Sequence, residues 1–297
     1  TKLVQGEDVE AIYERYSLTS FAGARASAEL GIPLALEVNA PLRAEEERFR
    51  ELRHEAAAVD AERATFAAAR RIFTVSAPLA HWLSANGVNA GRVEVMGNAP
   101  PARAFAPRAP MSERSEVVVG FAGGLKPWHG VETLLRGFEL ALDRGAKIRL
   151  EVLGTGPAGD LVDQASLREG RLRRLGQLPH EQALGVLERW DVGAAPFNAV
   201  EGFYFSPLKL FEYMAAGLCP VVSDVGELAQ IVERGRAGMV VPAGDTGALA
   251  EALLALDRDR PGLRELGARA QAAVRQMPTW FDNARRIMAV LDGLGPR

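Results

Sequence analysis

Apolar residues along this chain fall into short dense runs separated by stretches in which they recur every three or four positions. In the later part the runs are VVVGFA (117–122), IRLEVL (148–153), DVGAAP (191–196) and PVVS (220–223), with shorter candidates at 172–176 and 239–241. Runs of this length, alternating with helical stretches, predict strands of a sheet covered on both faces. The helical stretches between them span 131–143, about 180–188, 206–217 and 227–233, with another after the turn at Gly154–Pro157. Strands alternating with helices predict a doubly wound parallel sheet, whose ligands bind beyond the carboxyl ends of the strands. The earlier part repeats the rhythm more loosely, with strands at 9–15, 33–38, 72–75 and 92–96 and helices over 20–31, 43–71 and 76–87. Pro100, Pro101, Pro107 and Pro110 lie in an aperiodic stretch between Gly97 and Glu116 that reads as a linker. Helices close the chain, and Thr279 is a candidate cap for a last one over 280–294. The predicted organisation is α/β, with a first domain over 1–106, a second over 107–278 and a returning helix over 279–297.

Composition narrows the function more than the fold. At 297 residues the chain is long enough for two domains, and its net charge of −3 gives no electrostatic case for a nucleic-acid partner. The 43–71 stretch is densely charged, but its arginines and carboxylates cancel, which suits a solvated face better than a basic membrane-binding helix. No apolar run is long enough to cross a bilayer. The lone Cys219 sits in an apolar run and reads as a small buried hydrophobe, consistent with a reduced, cytoplasmic setting. The chain opens at Thr1 without a signal-peptide pattern, so a processed or truncated start is expected.

The stretch FYFSPLKLFEYMAAG (203–217) is the densest in chemical signals. Ser206 is a good N-cap, Pro207 suits a first helical turn, and Gly217 suits a helix stop. Lys209 and Glu212, three apart, share one face. A lysine in the first turn has the wrong sign for the helix dipole, so helix stability does not explain it. Two readings fit the helix alone: a solvated Lys209–Glu212 pair, or an anion site in which free N–H groups and an ammonium hold a diphosphate while Glu212 accepts from sugar hydroxyls. The loop GGLKPWHG (123–130) follows the array's first strand, and its glycines permit close backbone approach, with Lys126 and His129 as donors. It lacks Walker spacing. Gly154, Gly156 and Gly159 satisfy a G-x-G-x-x-G spacing, but after the array's second strand and without the acidic partner a dinucleotide site needs, so they read as a tight turn bordering a ligand. Asp257 and Asp259 could hold a divalent ion, although flanking Arg258 and Arg260 favour a solvated helix end. His54 and His180 stand apart from other ligand types. Glu37 and Asn39, at the end of a first-domain strand, either grip an acceptor or serve as a satisfied carboxylate and a capping amide.

Taken in order, FAGGLKPWHGVETLL (121–135), LGTGP (153–157), DVGAAPF (191–197), SPLKLFEYMAAG (206–217) and PVVSDVGELAQIVERGRAGMVVPAGD (220–245) resemble the group 1, or family 4, retaining glycosyltransferases. The resemblance covers most of the second domain. It implies a GT-B fold of two Rossmann-like domains with doubly wound sheets, the first domain N-terminally truncated here, and a last helix that packs back on that first domain. By resemblance, Lys126, Gly123, Gly124, Ser206, Leu208 and Lys209 would hold the diphosphate of a sugar nucleotide, with Pro207 among the other donor-binding residues. Glu212 would receive the ribose, with His129, Gly154, Gly156 and Tyr204 also on the donor side and Glu37 and Asn39 on the acceptor side. Lys126, Lys209 and Glu212 are the residues implied to carry catalysis. Fixed positive charge would stabilise the departing diphosphate without a metal or other cofactor.

The pattern departs from the family's at Gly124, commonly arginine, at His129, commonly lysine, at Tyr204, commonly glutamate, and at Asn39, in a loop that often carries histidine. The implied function is transfer of a sugar from a nucleotide-diphosphate sugar to a glycan, lipid-linked or small-molecule acceptor, in the cytoplasm or peripherally at the inner membrane face. A non-catalytic sugar-nucleotide-binding or assembly subunit, and an epimerase or hydrolase on the same fold, are the alternatives.

Overall fold

The computed structural model describes residues 9–49, 52–102, 115–199 and 207–294. It divides into two compact units, one formed by Thr1–Asn98 with Trp280–Arg297 and the other by Ala99–Phe203 with Pro207–Thr279.

The first unit is a four-stranded parallel sheet of β1 (Ile12–Arg15), β2 (Leu34–Val38), β3 (Ala69–Thr74) and β4 (Val93–Val95), in that spatial order. Helices α1 (Ala22–Leu30), α2 (Leu42–Phe49), α3 (Glu55–Ala68) and α4 (Ala77–Ala85) make the crossovers. The expected long helix over 43–71 is two helices, and its end is strand: Arg70 and Arg71 belong to β3. Period-3.6 patterning cannot mark that boundary, because Ala67 to Ala69 suits either state and pairing with β2 decides it. Ser76 caps α4 by accepting from Leu79 N, as its position suggests. The last helix, α12 (Trp280–Asp292), lays Ile287, Val290 and Leu291 against Ala35, Phe73 and Met96, and Asn283 Nδ2 donates to Gly97 O at 3.0 Å.

The second unit is a six-stranded, wholly parallel sheet built from β5 (Val117–Ala122), β6 (Ile148–Leu153), β7 (Leu172–Gly176), β8 (Val192–Ala195), β9 (Cys219–Ser223) and β10 (Met239–Val241), ordered β10-β9-β8-β5-β6-β7. All six residues of β5 are buried, as a central strand covered on both faces requires. Helix α5 (Val131–Asp143) packs on α10 (Thr246–Arg258), and α8 (Leu208–Ala215) packs on α11 (Arg260–Val274). The other helices are α6 (Gly159–Glu169), α7 (His180–Leu187) and α9 (Leu228–Gly235).

The chain runs outward from β5 through β6 to β7, then returns to place β8 on the other side of β5. The switch point is therefore between β5 and β8. Tyr213 from α8 fastens it: its buried hydroxyl accepts from Ala122 N at 2.7 Å and donates to Ala194 O at 3.3 Å. Its ring lies where a Cβ on Gly193 would sit, 2.4 Å from the nearest ring atoms, so the strand must carry glycine there.

Cys219 is fully buried, and burial pushes its thiol up to about 12, so it is an inert core residue. Asp257 and Asp259 are structural. Asp257 accepts from Lys147 N and pairs with Arg260, while Asp259 caps α11 through Gly262 N. Among the described residues no group of three His, Cys, Asp or Glu side chains is placed to hold a metal ion, and no helix is long and apolar enough to cross a membrane.

Candidate functional site

Three loops leave the carboxyl ends of β5, β6 and β7 side by side, tied by backbone hydrogen bonds. Gly123 N donates to Leu153 O at 2.9 Å, Leu125 N to Thr155 O at 2.9 Å, and Gly154 N to Gly176 O at 2.7 Å. With Lys209 and Glu212 of α8 they line an open cleft of about 410 Å³ that also takes in Gly124, Thr155, Gln177 and Leu178.

Gly154 holds this arrangement together. Its φ is +142°, and a Cβ there would lie 1.9 Å from the carbonyl oxygen of Gly123. Gly156, at φ +152°, abuts Leu125 in the same way. The G-x-G spacing therefore records the close approach of two loops rather than a turn around a pyrophosphate.

Helix α8 begins one residue later than its sequence suggests. Pro207 occupies the N-cap, and among the described residues no side chain caps the helix. Gly217, at φ +67°, follows the last turn as expected. Tyr204 and Ser206 lie outside the described residues.

Lys209 is the unusual group of the cleft. Among the described residues its buried Nζ has no hydrogen-bond partner, although part of the stem reaches solvent. The ammonium sits 3.9 Å from the centroid of the Phe121 ring and 5.1 Å from that of Phe197. Its Cε and Nζ lie 3.1 and 3.3 Å from where a Cβ on Gly123 would be. The solvated Lys209–Glu212 pair is thus not what forms: the two interact only at longer range. Burial pulls the Lys209 ammonium down to about 7, partly offset by the Glu212 charge. Aromatic faces compensate a cation weakly compared with anion hydrogen bonds, so the ammonium is held under-solvated at the mouth of the glycine loop. Burial likewise raises the Glu212 carboxyl, against the opposing charges of His180 and Lys209.

His129 supports the loop rather than the cleft. Its Nδ1–H donates to Gly124 O, and its ring packs edge-on against Phe197 and Trp128. Burial first, then the charges of Lys209 and Lys126, bring it down to about 4, with the Gly124 bond opposing, so the ring is neutral at pH 7. Lys126 runs alongside Gly124 without lining the cleft, and Leu208 is 46% exposed at the helix start.

Glu37 and Asn39 lie in the first unit. The Glu37 carboxylate accepts from Tyr13 at 2.6 Å, Asn39 at 2.6 Å and Arg15 at 3.2 Å. Burial opposes its charge, but these bonds and the Arg15 charge outweigh it and hold Glu37 below the usual carboxylate range. Asn39 keeps a buried Oδ1 without a partner, as does the Thr74 hydroxyl.

Sequence reasoning gave no role to Phe121, Phe197 or Gln177, and weighed His180 only as a metal ligand. The two phenylalanines stand at or just beyond the ends of β5 and β8, and only the adjacency of those strands brings them to one lysine.

Two Rossmann-like units with parallel sheets, and a cleft beyond the strand ends of the second, are the arrangement of the GT-B class of folds. Among solved structures, HepE of Anabaena in complex with UDP matches with a TM-score of 0.76 at 20% identity, over 99% of this chain and 81% of HepE. Sucrose-phosphate synthase of Thermosynechococcus elongatus matches with a TM-score of 0.73 at 20% identity, over 99% of this chain and 75% of that one. Residues 116–259, all in the second unit, match the family model for group 1 glycosyl transferases.

The phosphatidyl-myo-inositol mannosyltransferase of Mycobacterium leprae is 32% identical over 167 residues, 56% of this chain and 44% of the mannosyltransferase. The D-inositol 3-phosphate glycosyltransferase of Nocardia farcinica is 31% identical over 169 residues, 53% of this chain and 36% of that enzyme. The matches span less than half the length of these curated relatives.

Proposed function

We propose that the protein is a retaining, metal-independent glycosyltransferase that moves a sugar from a nucleotide-diphosphate sugar to a lipid-linked, glycan or small-molecule acceptor, with no cofactor beyond the donor. The observation that carries this reading is the buried ammonium of Lys209, without a hydrogen-bond partner among the described residues, beside Gly123 in the first turn of α8. A diphosphate in the cleft supplies an acceptor for the ammonium, and a modest swing of the lysine stem past Gly123 brings Nζ to it. Scission of the anomeric bond leaves its negative charge on the diphosphate, where fixed donors lower the barrier most. Lys126 adds charge from the loop. Glu212, whose proton affinity is raised by burial, takes the ribose hydroxyls. The acceptor side is assigned to the ends of β2 and β3, where the Asn39 Oδ1 and the Thr74 hydroxyl are unpartnered. The UDP-bound HepE structure and the mannosyltransferase and glycosyltransferase relatives support the donor class.

Calorimetry with UDP, GDP and ADP tests the donor site. Lys126→Ala is expected to weaken the nucleoside diphosphate that binds by roughly fivefold to tenfold. Glu212→Gln should weaken the nucleoside diphosphate by a similar factor and leave pyrophosphate unchanged, since only the former carries a ribose. Unchanged affinities in both variants would remove the site. For the chemistry, transfer measured with excess EDTA is expected to proceed at the untreated rate, and the anomeric configuration read by NMR should match the donor's. A strict manganese requirement, or inversion, would overturn the corresponding half of the proposal.

A further inference from the structure

On the open edge of the second unit's sheet lies a second cleft of about 470 Å³, lined by Arg149 of β6, Arg173 and Arg174 of β7, and Arg189 after α7, with Glu151 as its one carboxylate. Four arginines gather here on a chain whose net charge is −3. The charge of Arg149, Arg173 and Arg174 is incompletely answered by the described residues. Glu151 is held by a hydrogen bond from the Trp190 indole at 2.8 Å and reaches Arg149 only at 3.8 Å. Arg174 pairs with Asp163, yet the Nε atoms of both Arg149 and Arg174 are buried without an acceptor. Arg173 is exposed. Partly desolvated guanidinium groups with spare donors favour an oxyanion able to bond them in pairs, and phosphate oxygens match that fork.

We propose that this cleft is a second anion site, distinct from the donor cleft, that takes a phosphate monoester or diphosphate group. The volume accommodates a diphosphate or a phosphorylated headgroup. Leu178 lines both clefts, so the wall after β7 is common to the two. Nothing in the assignment depends on glycosyl transfer, and the site is read by binding alone.

The test uses the full chain carrying Lys209→Met, which removes the donor cleft's buried cation. Pyrophosphate titrated into this protein is expected to bind, and adding Arg149→Gln with Arg173→Gln should lower the affinity at least about tenfold. Arg173→Gln alone, at an exposed position, should lower it about threefold and guards against misfolding of the double change. Equal pyrophosphate affinity with and without these arginines, or no binding in their presence, overturns the proposal. Flotation with phosphatidylcholine vesicles containing phosphatidic acid identifies the source of the phosphate. Retention that depends on Arg149 and Arg173 assigns a lipid headgroup, whereas arginine-dependent pyrophosphate binding without retention assigns a free phosphate compound.

Discussion

Lys209→Met is expected to weaken nucleoside diphosphate binding by roughly 100-fold while making the free protein more stable. The two effects have one cause. Holding the ammonium near about 7 against its ordinary 10.5 means that the folded protein carries a strained charge, whose cost is on the order of 3–5 kcal/mol as an upper bound. Methionine keeps the stem volume between Phe121 and Phe197 and removes the charge. The gain expected is at least about 1 kcal/mol, or a rise of about 2–4 °C in melting temperature.

The pH dependence follows from the same depression. Below pH 7 Lys209 is protonated in both folded and unfolded chains, and the full cost is present. Between about pH 7 and its ordinary value the unfolded chain holds the extra proton, so wild-type stability rises with pH and its deficit against Lys209→Met closes. A diphosphate re-protonates the amine, so binding should take up close to one proton above pH 7 and weaken by up to about tenfold per pH unit. Differential scanning calorimetry and titration in buffers of different ionisation enthalpy read these outcomes. A variant that melts lower than wild type and binds equally well would make Lys209 a packing residue only.

Gly154→Ala is expected to cost about 3 kcal/mol or more and to abolish measurable donor binding, because its Cβ would strike the Gly123 carbonyl from a backbone at φ +142°. Relief requires the β5 loop to move, and that loop is one wall of the cleft. Gly145→Ala is the control: its φ is +87° but nothing lies within 4 Å of the added methyl, so about 1 kcal/mol of backbone strain is its whole expected effect. Thermal melts paired with nucleotide titrations separate the two. If Gly154→Ala behaves as Gly145→Ala does, the loops are not packed as described.

The second unit's strands were legible because short, dense apolar runs flanked by glycine-rich turns have few other solutions, and β5, β6 and β9 fall where those runs do. The division of 43–71 was not legible, because alanine-rich sequence suits a helix until a neighbouring strand claims it. At the site, the charge pattern of Lys209 and Glu212 pointed to the cleft that both line. What it could not show was the depth of Lys209, which depends on Phe121 and Phe197 arriving from strands far apart in the chain. The arginine cleft was invisible for the same reason: Arg149, Arg173 and Arg189 belong to no local motif, and sheet order alone assembles them.

The return of the chain from β7 to β8 also sets an order of assembly during translation. Strands β5, β6 and β7 leave the ribosome first and can pair, with their glycine loops already adjacent, while one side of β5 still waits for its neighbour. Tyr213 closes that side only after a further stretch of synthesis, and Lys209 emerges in the same segment. The nascent cradle is thus built without its buried cation, and Lys209 enters it only when β5, β6 and β7 are already in place.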